Sequence, residues 1–179
     1  MKFNLQPILK NEKVILYPLN EDDFEGLFSV ASYPKVWEQH PNKDRYKQDV
    51  FKTFFEGAIK SNGAFKITDR ETGEIIGSTR FYDYNPESES ILIGYTFYAV
   101  KCWGKGYNHT VKTIMLNYIF QFVAKVIFHV GAQNIRSQKA MEKLGAEKIA
   151  EQEVAYFGET TKLNFVYEIG RGNWLKNLV

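Results

Sequence analysis

Lys101-Cys102-Trp103-Gly104-Lys105-Gly106-Tyr107 is the stretch on which the reading of this chain turns. It follows residues 91–100, an apolar and aromatic run that reads as a strand. Behind it lies the clearest helical periodicity of the sequence: Val111, Ile114, Met115, Tyr118, Ile119 and Phe122. Glycines at 104 and 106 permit a tight turn that exposes successive backbone N–H groups. The helix adds its unsatisfied first-turn N–H groups and the positive end of its dipole. Together these form an anion site suited to a pyrophosphate. No Gly-Lys-Ser/Thr follows and the full dinucleotide fingerprint is missing, so the turn is neither a P-loop nor a Rossmann-type site.

Working outward, residues 125–130 (KVIFHV) read as a buried strand. Asn134-Ile135-Arg136-Ser137 then leads into a short helix over 137–144, with Ala140, Met141 and Leu144 inward and Gly145 as C-cap. Strands are expected at 147–156 and 162–169, joined by Phe157-Gly158-Glu159-Thr160. Upstream, residues 64–68 and 75–84 flank the hairpin turn at 69–73. Val14-Ile15-Leu16-Tyr17 is a first strand ended by Pro18, and Asn20 caps a helix with acids in its first turn. Residues 45–60 form another helix, with Val50, Phe51, Phe54, Phe55 and Ile59 on its apolar side. The order predicts an α+β (mixed α/β) sandwich with helices on both faces of one sheet.

The two motifs, in the order strand, Gly-x-Gly, helix, strand, Asn-x-x-Ser, helix and Leu144-Gly145-Ala146, closely resemble the acetyl-coenzyme A core of the GNAT acetyltransferases. In that family a Gln/Arg-x-x-Gly-x-Gly/Ala loop grips the coenzyme pyrophosphate. Here residues 101–106 match it with Lys101 in place of Gln or Arg. The resemblance implies a pyrophosphate cradle of Trp103, Gly104, Lys105, Gly106, Tyr107 and Asn108. It puts Asn134 and Ser137 along the pantetheine arm. Residues 93–98 resemble the family strand whose bulge splays it from its parallel neighbour, here 125–130. The pantetheine would lie in that V against Phe97 and Tyr98, bonding as an added strand does.

The implied fold is one mostly antiparallel sheet of about six or seven strands with a central parallel pair. A single domain over 1–179 is expected, with acceptor-side helices at 20–62 and the acetyl-CoA core at 75–169. Ile93-Gly94-Tyr95 and the Trp-Gly-Lys-Gly-Tyr turn most resemble the branch that acetylates alanine or serine N-termini of ribosomal proteins.

Composition agrees with a single soluble domain. The 179 residues are 44% hydrophobic and 16% aromatic, enough for one core. Net charge is +2, with cations scattered among acids, so no nucleic-acid footprint is read. No run approaches the roughly 18 apolar residues of a membrane span, and residues 1–10 lack a signal-peptide core. Cys102 is the only cysteine, excluding an internal disulfide; a cytoplasmic address is expected. Three histidines without paired helical spacing imply no metal site.

Acetyl transfer needs a neutral amine, donors for the oxyanion and a proton for the thiolate. The oxyanion donor is assigned to a backbone N–H near Phe97 or Tyr98, and Ser137 to the sulfur. Candidate bases are Glu89, Glu151 and Glu153, with Glu153 the choice for the catalytic set and an ordered water chain the alternative. His109 could approach phosphate, His129 reads as a core histidine, and His40 with Tyr33 could line an acceptor pocket. The expected acceptor is a protein N-terminal amine; an aminoglycoside, polyamine or amino acid is the alternative. Outside that class stand a non-catalytic acyl-CoA-binding module and a ligand-free interaction domain. Monomer and homodimer are both open, with Trp174-Leu175 and Leu178-Val179 either capping the core or meeting a second copy.

Overall fold

The apolar runs pair into strands Leu9–Lys10 (β1), Val14–Pro18 (β2), Ala64–Asp69 (β3), Ile75–Asn85 (β4), Ser90–Tyr98 (β5), Lys125–Gly131 (β6), Glu147–Val154 (β7) and Lys162–Gly170 (β8). The computed structural model describes residues 3–176. Leu178 and Val179 lie outside them. The strands form one sheet in the order β1-β2-β3-β4-β5-β6-β8-β7, antiparallel except between β5 and β6. This is the expected mixed α+β fold with one strand more than the six or seven anticipated. The extra one is β1, two residues that pair Leu9 with Leu16 and Lys10 with Ile15 and are too short to leave a period.

Helices are Phe24–Ala31 (α1), Pro34–Trp37 (α2), Gln48–Lys60 (α3), Tyr107–Ile119 (α4), Ile135–Lys143 (α5) and Arg171–Lys176 (α6). They cover both faces of the sheet. Phe65 and Ile67 belong to a cluster with Val111, Met115, Met141 and Leu144 from α4, α5 and the end of α5. Ala64, one residue away and so on the other face, belongs to a cluster with Trp37, Phe51, Phe54 and Phe55. On α4, Val111, Met115, Leu116 and Ile119 are all fully buried. Each contributes about 1.5–3 kcal/mol relative to exposure. Phe122, read as part of this helix, lies beyond its end; it is half-exposed and stacks on Phe3. The helix expected from residue 45 starts at Gln48, because residues 43–46 form a 3-10 turn capped by Asn42. Trp174 caps the core through a bond from its Nε1 to Asn117 Oδ1 (2.8 Å).

The feature that shapes the site is a bulge in β5. Ser78 and Arg80 of β4, two steps apart, pair with Phe97 and Gly94, three steps apart. The extra residue falls around Tyr95, whose φ of 53° is left-handed. Such a bulge bends the strand and interrupts its ladder. The buried Arg80 guanidinium, 3.7 Å from the Tyr95 ring centroid, braces the distortion. Parallel pairing with β6 accordingly stops at Leu92–Ile127 after three residue pairs. β5 stays with β4 and β6 stays with β8 as far as Gly131–Asn164, which opens a V between them.

Candidate active site

At the wide end of the V, Gly104 (φ 72°) and Gly106 (φ 80°) adopt left-handed conformations that L side chains rarely take. Gly106 is the N-cap of α4 and supplies no side-chain cap, so the first-turn N–H groups stay available to an anion. The Lys13 ammonium, just before β2, sits over the Tyr107 ring (4.4 Å) and donates to the Lys105 carbonyl, steadying the turn. Tyr107 donates its hydroxyl proton to Asp69 at the end of β3. That bond and backbone donors from Thr72 and Glu71 hold the Asp69 carboxyl below its usual range.

The second motif faces this turn. Asn134 is buried and caps α5, its Oδ1 accepting from the Ser137 N–H at 3.1 Å. The Ser137 hydroxyl has no partner among the described residues. Arg136 lays its guanidinium 3.7 Å from the Trp103 ring centroid, bridging the two motifs, and its backbone N–H donates to Gln39 Oε1. Trp103 Nε1 donates to the Tyr98 carbonyl at 3.3 Å.

One cavity of about 870 Å³ runs through the V. Of the residues expected at the site, Phe97, Tyr98, Trp103, Gly104, Gly106, Tyr107, Asn108, Asn134 and Ser137 all line it. Lys105 does not; it presents its carbonyl to Lys13 instead. Lys101 turns away to an exposed ion pair with Glu74. Of the aromatic and imidazole candidates, His40, His109 and His129 line the cavity, whereas Tyr33 is exposed away from it. Burial, with Arg45 and Arg136 nearby, pushes the His40 pKa down to about 3, so its ring is neutral.

The carboxylates expected as bases are elsewhere. Glu153 and Glu151 are exposed on β7, which pairs only with β8 and is thereby two strands removed from the V. Glu89 sits in the turn before β5, where its carbonyl accepts from Ala124 and Lys125. None of the three lines the cavity, so the choice of Glu153 as base is corrected by this placement. Among the described residues, no aspartate or glutamate lines it at all. Its basic groups are Arg45, Lys112, Arg136, Lys139 and Lys143.

Two side chains that sequence reasoning passed over are central. Arg45 forms a buried fork with Glu159 of the β7–β8 connection, at 2.6 and 2.7 Å. Lys112 lies buried on α4 with its Nζ on Thr79 and Thr96. The one signal for Lys112 was a lysine three residues before Met115 and four before Leu116, on an otherwise apolar helix face.

An extended anionic ligand with an apolar arm fits this cavity. A bare helix N-terminus and lysines of α5 stand at its rim, and apolar and aromatic side chains line its depth. Inside, Tyr98 OH and His129 Nδ1 are buried without a hydrogen-bond partner. Such orphans are rare unless a ligand or water completes them. Acetyl-CoA has this shape and charge distribution.

Known proteins agree. The family described as Acetyltransferase (GNAT) domain matches residues 13–147, which takes in the bulged strand, the glycine turn and the Asn-x-x-Ser helix. No curated protein matches the chain. Among solved structures, a GCN5-related N-acetyltransferase from Brucella melitensis superposes with a TM-score of 0.82 at 16% identity, covering 95% of this chain and 81% of that one. A spermidine N-acetyltransferase from Vibrio cholerae, in complex with CoA and spermine, gives 0.69 at 18% identity over 92% and 99%. A Vibrio cholerae protein provisionally named a ribosomal-protein-serine acetyltransferase gives 0.71 at 16% identity over 94% and 99%. With the family match spanning both motifs and the cavity between them, the chain belongs to the GNAT acetyltransferases and uses acetyl-CoA as donor for N-acetylation.

Proposed function

We propose that the acceptor is the α-amine of a protein N-terminus, acetylated by direct transfer while donor and acceptor share the cavity. The observation carrying this reading is the basic character of the lining: five basic side chains, of which Arg136, Lys139 and Lys143 carry charge not offset by a buried partner, and no carboxylate among the described residues. A polyamine or aminoglycoside brings several positive charges and calls for acids that the cavity lacks. Glu21, Asp22, Asp23, Glu38 and Glu87 do not line it. An α-amine titrates near 7.7–8.0 against about 10.4 for a lysine side chain. It therefore enters a cationic site unprotonated far more readily. A free amino acid is the second reading, since the same cations suit its carboxylate.

Within this reading, backbone N–H groups of residues 103–108 hold the pyrophosphate and the Asn134 amide holds the pantetheine. A backbone N–H at Phe97 or Tyr98 receives the carbonyl oxygen. The Tyr98 hydroxyl, buried and unpaired, gains its partner from the bound donor or acceptor. Ser137 donates to the sulfur. A reduced, cytoplasmic setting fits the single free thiol of Cys102 and the supply of acetyl-CoA.

Thiol release from acetyl-CoA tests this with three acceptors: a peptide with free N-terminal serine or alanine, the same peptide Nα-blocked with an internal lysine, and spermidine. The free peptide is expected to have the highest kcat/KM. A higher value for spermidine would refute the assignment.

A further inference from the structure

Lys112 is a buried amine with no acid to neutralise it. It is 2% exposed, and its Nζ donates to Thr96 Oγ1 at 2.6 Å and to Thr79 Oγ1 at 3.1 Å. These are its only partners among the described residues, which leaves one of its three N–H positions unused when charged. Both threonines flank the distortion that opens the V. Thr96 belongs to the bulge itself and donates onward to the Gly94 carbonyl. Lys112 also lines the cavity that holds Ser137, Tyr98 and Phe97.

Burying a cation at such a place is expensive without a carboxylate. A methionine or leucine would pack between Val111 and Met115 without that cost. The retained amine calls for a chemical reason. The reaction needs a proton acceptor, and no aspartate or glutamate lines the cavity among the described residues.

We propose that Lys112 is the proton acceptor of acetyl transfer, occupying the role for which the cavity offers no carboxylate. The proposal rests on the N-acetyltransferase activity described above. As the acceptor nitrogen bonds to the acetyl carbon it gives up one proton, which the neutral Lys112 amine takes. The carbon–sulfur bond breaks and its electron pair leaves on sulfur. The proton on Nζ then passes to that thiolate, so the products are amide and thiol and the lysine is neutral again.

The surroundings set the proton affinity. Burial pushes the Lys112 pKa down to about 7, with no neighbouring charge adding to the effect. Across the cavity stand Tyr98 and Cys102, both pushed up by burial and so neutral, and His129 on β6, pushed down. His109 lies one turn earlier on α4, and Lys139 and Lys143 line the cavity from α5. None is an acid that would hold Lys112 charged. Above pH 7 the neutral form dominates, so turnover at saturation rises as pH climbs through that value.

The test is kcat against pH at saturating acetyl-CoA and acceptor peptide, for the wild type, Lys112→Met and Lys112→Arg, with acetyl-CoA affinity and thermal stability measured for each. The wild type is expected to show a limb near pH 7. The methionine variant should lose roughly 100-fold or more in kcat, lose the limb and still bind acetyl-CoA. Arginine keeps the charge and the donors but holds its proton, so it should be as slow. A methionine variant with wild-type kcat and limb would overturn the proposal, and so would an arginine variant that restores turnover. If neither variant folds, a wild-type kcat flat across pH 6–8 overturns it by itself. Absence of amine-dependent thiol release in the wild type would instead remove the activity on which the proposal rests.

Discussion

Replacing Glu159 by glutamine should destabilise this protein more than any surface change, because it strands Arg45. The two side chains are 4% and 10% exposed and meet through two short bonds. Glutamine keeps the shape of glutamate but removes its charge. Breaking a buried pair from one side costs about 3–5 kcal/mol, since the remaining charge stays desolvated. Here the cost should fall at the lower end, about 3 kcal/mol. The faces of Phe54 (4.8 Å), Trp37 (5.5 Å) and Tyr156 (5.7 Å) surround the Arg45 guanidinium and offset part of the loss. At about 2–4 °C per kcal/mol for a chain of this size, Tm should drop by roughly 6–12 °C. Urea denaturation of wild type, Glu159→Gln, Arg45→Met and the double variant measures this as a cycle. The double variant should be more stable than Glu159→Gln alone, because no orphaned charge remains. A single-variant loss below about 1 kcal/mol, the value of exposed pairs, would show that water reaches the pair and would refute the reasoning.

Ser137→Ala should lower kcat while leaving acetyl-CoA affinity near wild type, because the hydroxyl carries no structural bond; full turnover would remove its role at the sulfur. Gly106→Ala has room for its methyl, the nearest atom being Lys13 Nζ at 3.8 Å, so its cost is conformational. About 1–2 kcal/mol of left-handed strain should re-aim the first-turn N–H groups and weaken acetyl-CoA binding by calorimetry. Unaltered affinity would mean that the turn is not the anion cradle. Asp69 is held below its usual pKa chiefly by the Tyr107 hydroxyl, so its contribution is present above the unfolded-state value of about 3.9 and fades as pH falls through the folded value. Asp69→Asn should therefore destabilise at neutral pH and flatten the acid limb of a stability–pH profile, whereas an unaltered limb would contradict the assignment.

Several features of this protein were written locally in its sequence. Gly104 and Gly106 needed only their own backbone freedom to announce a left-handed turn before a helix, and the apolar spacing from Val111 to Ile119 announced that helix. Asn134 and Ser137, three residues apart, made their cap by a contact within one turn. The strands followed from apolar runs bounded by turn residues, apart from β1, whose two residues owe their conformation to β2. Tertiary structure decided the rest, because it depended on what distant segments bring to one point. Arg45 and Glu159 are 114 residues apart, and nothing near either one signals the other. The three glutamates near the expected strands were reasonable bases by spacing alone, but strand order carried two of them to the far edge of the sheet. Lys112 was visible as a residue and invisible as a site, since its chemistry arises from burial under Thr79 and Thr96. Backbone conformation is a short-range property and can be read from neighbouring residues, whereas burial and charge balance are sums over the whole fold.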